Sequence, residues 1–441
     1  MSSLDNLFEL SPDPEMAALR MENLLQQDNL RKQIEAMSDE RLSGFVHLIS
    51  ISNFLYHFLF READSITGLD KGLLHETVNP EKITDARTLR LFKYLKLFEI
   101  TWQDIHGGIA YSEILKSLSL LADNIINKAL ELVVNEHKKT TEATGTIPFC
   151  ILAMGKLGAN ELNYSSDVDL IFVCANEKDV YGDIHDYQKK VVSYIRKISN
   201  LLEETTEDGF LYRVDLRLRP LGRSGPLILS VDNTEQYYEA STEAWERFAW
   251  LRARVLAGNR SLGLDLLERL QPFIFHQTLS SDDLQRFLKI KNDMASARLK
   301  TDYWNVKLGE GGIRDIEFFI QVLQIVNAYQ HPELKTTNTL SVLAGLVNAG
   351  FLSQAEGEEI RKSYLFLRRL ENRLQIIDER QTHELPDNDK DRIKIARSLG
   401  HIYHDSDDIL EKFNQELSQH RKIAKSCFER ILPRGDDFNA D

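Results

Sequence analysis

Apolar residues in the first third of the chain recur at spacings of three and four positions. This repeat is present at 45–60, 87–101 and 109–136. It predicts amphipathic helices, because residues three and four apart lie on one face of a helix. The segment 12–27 also begins with proline and acidic residues, which are typical of the first turn of a helix. We therefore expect the N-terminal region to be helical.

Short apolar runs replace the helical spacing after residue 145. The runs 146–155 and 167–175 have the length and flanking residues of buried strands, and the loop KLGANELNYSS joins them. A helical stretch at 186–206 leads to a third predicted strand, 209–220, which a proline ends. Beyond about residue 232 the pattern predicts no further strand. Helices are expected there at 234–256, 284–301, 313–328 and 356–379.

Two aspartates lie at the start of the second predicted strand. Asp167 and Asp169 belong to the sequence SSDVDLIFV, in which apolar residues surround them. Residues i and i+2 of a strand project to the same face, so the two carboxylates are expected to point together. Because burying an unpaired carboxylate is costly, this placement favours a bound cation as their partner.

The third predicted strand carries a charged residue at every second position. In RVDLRLR the charged face holds Arg213, Asp215, Arg217 and Arg219, and the other face is apolar. Carboxylates from adjacent strands can hold Mg²⁺, which prefers oxygen ligands and shares its coordination with substrate phosphates. Arginines beside them are suited to phosphate oxygens. We expect Asp215 to complete a magnesium site, with Arg217 and Arg219 binding phosphate.

Gly155 ends the first predicted strand, where the absence of a Cβ would let a phosphate approach the backbone. Each of these signals also has a simpler interpretation. A D-x-D pair is often a solvated strand edge, and the alternating charges could form a surface ladder of salt bridges. The sequence MGKLG lacks the Ser or Thr that follows lysine in a Walker loop, so that motif is excluded.

The order of these features is more specific than any one of them. A strand and a glycine, a D-x-D pair twelve positions later, a helix and a strand with a third aspartate are typical of the nucleotidyltransferase superfamily. We therefore predict an α+β protein, predominantly helical, with a mixed β-sheet core flanked by helices. The expected domains are an N-terminal helical region (1–105), a nucleotidyltransferase core (106–232) and a C-terminal helical bundle (233–441).

Composition narrows the class of protein. The chain of 441 residues is 42% hydrophobic and 28% charged, which is ordinary for a soluble globular protein of more than one domain. Its net charge of −14 argues against nucleic acid as a partner, since that binding needs a basic surface. The three cysteines are too few for a disulfide framework, and neither a secretion signal nor a transmembrane segment is expected. A cytoplasmic location away from membranes is expected.

Five segments resemble the bacterial glutamine synthetase adenylyltransferase/adenylyl-removing enzymes. The resemblance spans about residues 89–428, and its motifs are MGKLGANELNYSSDVDLIF, DGFLYRVDLRLRPLGRSGPLILS, YYEASTEAWERFAWLRARVLAG, GEGGIRDIEFFIQVLQ and YLFLRRLENRLQIIDERQTHELP. Members of this family carry two related halves. The N-terminal half removes AMP from a glutamine synthetase tyrosine by phosphorolysis, giving ADP, and the C-terminal half attaches AMP from ATP. The wording of the motifs is more similar to the N-terminal half, so a truncated or separately made adenylyl-removing domain is expected.

The resemblance implies roles for individual residues. Asp167 and Asp169 match the metal-binding pair of the family, and Asp215 matches its third acid. Lys156 either contacts phosphate or packs within its loop. Ser165 and Ser166 either donate hydrogen bonds to the nucleotide or cap the turn before the strand.

Partners and alternatives also follow from the resemblance. The implied partners are adenylylated glutamine synthetase, a PII signalling protein, inorganic phosphate and ADP or ATP. Two other functions remain open: adenylyl transfer from ATP, and a non-catalytic module that binds glutamine synthetase or PII. In the C-terminal motifs, Arg314 and Glu317 are expected to form an internal ion pair, with a contribution to the rim of the active site as the alternative. The helix containing RRLENRLQ is expected to pack within the bundle.

Overall fold

The structure is a computed structural model. It describes residues 3–64, 66–69, 83–106, 108–140, 147, 149–180, 183–240, 244–275, 304–402 and 406–431, together with positions 289, 290, 293 and 296.

Helices form the N-terminal region, as predicted. They are α1 (Ser3–Glu9), α2 (Pro14–Leu25), α3 (Asp28–Glu35), α4 (Asp39–Ile51), α5 (Asn53–Arg61), α6 (Ala86–His106) and α7 (Tyr111–Thr140). The predicted helix at 45–60 is in fact two helices, α4 and α5, which meet at an angle of 109°. The break is at Ser52, whose hydroxyl accepts a hydrogen bond from the backbone of Leu55 and so starts a new helix. Among the described residues, no single helix has the length and apolar character needed to cross a membrane.

A five-stranded mixed sheet lies at the centre of the chain. Its strands are β1 (Phe149–Ala153), β2 (Val168–Cys174), β3 (Val214–Asp215), β4 (Leu229–Ser230) and β5 (Arg254–Gly258). The order is β3–β2–β1–β5, and β4 also pairs with β2. β1 is antiparallel to both β2 and β5, whereas β3 and β4 run parallel to β2. The predicted α+β fold class is confirmed.

Two predictions about the strands were wrong. The third strand has only two residues, because the Asp215 carboxylate accepts a hydrogen bond from the Arg217 backbone and turns the chain away from β2. The segment predicted as one helix at 234–256 contains two helices and then β5, which completes the sheet edge beside β1. The division of the chain at residues 105 and 232 remains a prediction, but the sheet itself extends beyond residue 232.

Each face of the sheet packs against a different set of helices. Alternate residues of β1, such as Phe149 and Ile151, lie in a hydrophobic core with the N-terminal helices and the helix Ile184–Glu203. The intervening residues, such as Cys150 and Leu152, lie in a second core with the C-terminal helices. This two-sided burial explains why β1 and β2 appear in the sequence as nearly continuous apolar runs.

The remaining helices follow in chain order. They are α8 (Gly155–Gly158), α9 (Ile184–Glu203), α10 (Val231–Ala240), α11 (Ala244–Trp250), α12 (Arg260–Arg269), α13 (Gln271–Ile274), α14 (Ile313–Asn327), α15 (Thr339–Asn348), α16 (Gln354–Gln375), α17 (Asp389–Ser398) and α18 (Ser406–Arg430). The predicted C-terminal bundle is therefore present. The helix predicted at 284–301 lies largely outside the described residues.

The segment 376–385, which follows α16, contacts three parts of the fold. The carbonyl of Ile377 accepts a hydrogen bond from the Asn53 backbone at 2.7 Å, at the start of α5. Glu379 binds Lys93 of α6 through its carboxylate and Ser165 through its carbonyl, the latter at 2.8 Å. Further on, the His383 carbonyl accepts a bond from the backbone of residue 306. This segment therefore ties the N-terminal helices, the sheet and the bundle together.

Candidate active site

The pairing of β2 with β3 brings the three predicted aspartates together. Asp169 is the register partner of Asp215 on the parallel strand, and Asp167 lies two residues before it on the same edge. Burial, together with the neighbouring carboxylates of Asp215 and Asp167, raises the pKa of Asp169 to about 6. The three side chains thus interact electrostatically, as expected for acids that share one face.

Arginines neutralise two of these three acids. Nε of Arg213 lies 2.6 Å from Oδ1 of Asp167. Nε of Arg217 lies 2.7 Å from Oδ2 of Asp215, and although burial opposes it, hydrogen bonding to Arg217 holds the pKa of Asp215 below its usual range. Within the described residues, no three His, Cys, Asp or Glu side chains are gathered into a metal-binding cluster. Asp167 and Asp215 each turn to an arginine instead.

The donor set nevertheless fits a hard divalent cation. All three candidate ligands are carboxylates. Asp169 and Asp215 lie on adjacent strands, Asp167 directly precedes one of them, and Asp169 makes no ion pair within the described part of the chain. Carboxylate oxygen is the donor that Mg²⁺ prefers, and a cation would offset the burial and the repulsion that raise the pKa of Asp169.

Gly155 lies directly against this site. Its φ is +55°, in the left-handed region that favours glycine, and a Cβ built there would collide with Oδ2 of Asp169. The glycine therefore makes room for the Asp169 carboxylate. Its predicted role in admitting a phosphate remains a prediction.

Lys156 and the two predicted serines are engaged by other parts of the protein. Nζ of Lys156 lies 2.9 Å from both carboxylate oxygens of Glu371 in α16. Burial lowers the pKa of Lys156 to about 7, against the favourable charge of Glu371. Ser165 donates its hydroxyl to the Glu379 carbonyl, and the Ser166 hydroxyl accepts a bond from the backbone at residue 163, within the turn. Any contact of these three residues with a nucleotide remains a prediction.

Arg219 stabilises the loop after β3. Its Nε lies 3.0 Å from the carbonyl of Pro226, and its terminal nitrogens bind the carbonyls of Leu216 and Gly225 at 2.6 and 3.2 Å. Arg217 is different, since its side chain is 59% exposed. Of the two predicted phosphate-binding arginines, Arg217 is therefore the one whose guanidinium is accessible to solvent.

One stripe of α16 holds the loop that precedes Asp167. Asn372 accepts a bond from the Tyr164 backbone at 3.2 Å, and Gln375 accepts one from the Ser165 backbone at 2.9 Å. Arg368 donates to the side chain of Asn163 at 2.7 Å. Sequence reasoning treated this helix as bundle packing and missed the contacts. The signal was present, because Arg368, Glu371, Asn372 and Gln375 recur at helical spacing within a helix that also carries a leucine face.

The ion pair expected between Arg314 and Glu317 does not form. Arg314 is exposed, whereas Glu317 is buried and binds Arg252, with Nη1 and Oε1 3.2 Å apart. Burial favours the partner that reaches Glu317 from the interior, and Arg252 does so from the turn before β5.

Two segments of the chain match known protein families, and the chain has similar relatives among characterised enzymes. Residues 59–269 match the family model of glutamate-ammonia ligase adenylyltransferase, and residues 283–432 match that of GlnD PII-uridylyltransferase. A bifunctional glutamine synthetase adenylyltransferase/adenylyl-removing enzyme from Thioalkalivibrio sulfidiphilus is 37% identical over 361 residues, which are 79% of this chain and 36% of that protein. The chain is a homologue of these bifunctional enzymes. The resemblance noted in its motifs is thus confirmed.

A second relative covers more of the chain. The enzyme of the same name from Pseudomonas aeruginosa is 34% identical over 433 residues, which are 92% of this chain and 43% of that protein. The chain therefore spans less than half the length of either homologue.

Proposed function

We propose that this protein is a nucleotidyltransferase that removes AMP from the adenylylated tyrosine of glutamine synthetase by phosphorolysis, releasing ADP. The observation that carries the proposal is the register of Asp169 with Asp215 across two parallel strands, with Asp167 beside them. The homologues are named for both adenylylation and its reversal. The removing direction is favoured by the wording of ELNYSSDVDLIFV, RVDLRLRP and WERFAWLRAR, which is more similar to the N-terminal half of the family.

Asp167, Asp169 and Asp215 would hold Mg²⁺ in this proposal. When bound, the ion would neutralise charge on the phosphoryl oxygens and on the departing tyrosine oxygen. The chain's own arginines have a matching part. Arg213 and Arg217 balance the acids now, and the exposed Arg217 can exchange Asp215 for a phosphoryl oxygen when substrate arrives.

The proposed reaction balances without a strong general acid. An oxygen of inorganic phosphate forms a bond to the phosphorus of the tyrosine-linked AMP, and the bond from that phosphorus to the tyrosine oxygen breaks. The products are ADP and tyrosine, whose phenol has a pKa of about 10 and needs only a proton from solvent.

Adenylyl transfer from ATP is the second candidate, because the names of the homologues include it. The same acids would serve both directions. A PII protein is the proposed regulatory partner, since the family model matched by residues 283–432 is named for an enzyme that acts on PII.

One experiment separates the two directions. The chain is incubated with adenylylated glutamine synthetase and phosphate, and separately with the unmodified synthetase and ATP. We expect phosphate-dependent release of ADP in the first mixture and little labelling in the second. Labelling without ADP release would reverse the assignment, and an Asp169→Asn variant is the control for contaminating activity.

A further inference from the structure

Hydrogen bonds fix the backbone of the loop that precedes α14. The Asn305 side chain accepts hydrogen bonds from the backbones of Lys307 and Leu308 at 3.1 and 2.8 Å. Its carbonyl accepts a third bond, from the Gly309 backbone at 3.0 Å. The Val306 backbone in turn donates to the His383 carbonyl at 2.8 Å. Four hydrogen bonds thus fix the backbone on both sides of Lys307.

Two glycines close the same loop. Gly311 has a φ of +70°, and a Cβ there would collide with the carbonyl of Arg421 in α18. A Cβ on Gly312 would lie 2.7 Å from the Lys307 carbonyl. Since only glycine allows both approaches, the sequence GEGG places the backbone of Lys307 in one position.

This loop lies next to the candidate active site. His383, whose carbonyl binds Val306, has its ring Nδ1 2.9 Å from Oε1 of Glu371. Glu371 binds Lys156, and the preceding Gly155 touches Asp169. A short series of direct contacts therefore leads from the backbone next to Lys307 to the central acid of the site.

Among the charged groups around Lys307, one cation and one acid have no partner within the described residues. Among the cations, Lys156 binds Glu371 and Arg252 binds Glu317. The Lys307 ammonium, in contrast, makes no hydrogen bond or ion pair within the described residues. Asp169 is its counterpart among the acids, because the other two each have an arginine.

Electrostatics place the two unpaired groups in reach of each other. Burial, Asp215 and Asp167 raise the pKa of Asp169, and Lys307 is the foremost opposing influence, ahead of Arg217. After burial and Arg368, Lys307 also lowers the pKa of Lys156. Its ammonium is therefore close enough to act electrostatically on both the acid and the buried lysine, and a cation without a counter-ion there favours an anionic ligand.

We infer that Lys307 is a phosphate-binding residue of this site, delivered by the C-terminal bundle to hold phosphoryl oxygens of the nucleotide or of inorganic phosphate. A lysine suits this role, since its ammonium is a compact point charge with three donors. The inference rests on the proposed function only in requiring a substrate that carries phosphate.

The test compares Lys307→Met with Lys307→Arg in the full chain. Lys362→Met is the matched control, because Lys362 is exposed on α16 with only a loose pair to Glu358 at 3.6 Å. For Lys307→Met we expect the KM for phosphate in the ADP-releasing reaction to rise by about 10- to 100-fold. The arginine variant should recover part of the loss, and the control should match the wild type.

A second readout does not depend on the reaction. Removing a cation near Asp169 should tighten Mn²⁺ binding, measured by electron paramagnetic resonance, by roughly 3- to 10-fold. If the chain proves to adenylylate instead, the same rise is expected in the KM for ATP, so the direction can fail while the inference stands. Unchanged KM and unchanged Mn²⁺ affinity in Lys307→Met would overturn the inference.

Discussion

Replacing Glu371 with glutamine tests how α16 supports the active-site loop. The Glu371 side chain is fully buried, and both its oxygens lie 2.9 Å from Nζ of Lys156. Nε of Arg368 is 3.4 Å away, so two cations lie beside this one carboxylate. Removing one partner of a buried ion pair costs about 3–5 kcal/mol, because the other charge stays buried without compensation. We expect Glu371→Gln to lower the free energy of unfolding by about that amount.

Urea unfolding followed by circular dichroism measures this loss. Glu358→Gln on the same helix is the control, since its pair with Arg361 is exposed and such pairs contribute little to stability. Against burial, Lys156, a hydrogen bond to His383 and Arg368 hold the pKa of Glu371 well below its usual range. The wild-type advantage is therefore present between pH of about 4 and pH of about 7, where Lys156 is still protonated, and it shrinks as the pH falls below about 4. A loss in Glu371→Gln no larger than in the control would refute the reasoning.

Three further predictions follow from the same site. Gly155→Ala should lower activity at least about tenfold, because the new Cβ would displace Asp169. Gly350 also has a positive φ, of +82°, but a Cβ there would meet no atom within 4 Å, so Gly350→Ala should only lower the free energy of unfolding by about 1–2 kcal/mol. Both are measured by ADP release and thermal unfolding, and equal activity in the two variants would contradict the clash. Asp169→Asn should abolish turnover with the fold intact. Removing Mg²⁺ from the wild type with a chelator should abolish turnover reversibly. Retained ADP release by the variant would exclude Asp169 as a ligand. The pKa of Lys156 is about 7 in the folded chain and about 10.4 in the unfolded chain, so the unfolded chain binds more protons between these pH values. The free energy of unfolding of the wild type should therefore rise from pH 7 to pH 10, by up to about 1.4 kcal/mol per pH unit. Lys156→Met should lack this rise when urea unfolding is measured at several pH values.

Local spacing was enough to predict the parts of the site that lie on one strand. The alternation around Asp167 and Asp169 gave their common face, and the two-sided burial of β2 explains the apolar residues beside them. The order of strands and helices led to the correct fold class. The same reasoning failed after Asp215. A hydrogen bond to its side chain ends the strand after two residues, so the alternation of charged and apolar residues beyond it does not correspond to a strand.

Partners that are distant in the chain were beyond such reasoning. Lys156 and Glu371 are separated by 215 positions, and nothing in either local sequence names the other. Glu317 likewise binds Arg252 in preference to the arginine one turn away, because it points to the interior. Periodicity gives the direction in which a side chain points, but the identity of its partner depends on how the elements pack.

The segment 376–385 limits how this protein can be divided into fragments. Its contacts with Asn53, Ser165 and Val306 join regions that sequence patterns would assign to three domains. A fragment stopping at residue 232 would lack β5 and leave one side of the sheet open to solvent, inviting aggregation. The smallest fragment to express for biochemical assays therefore runs from the first helices through the segment 376–385 and the helices that follow it.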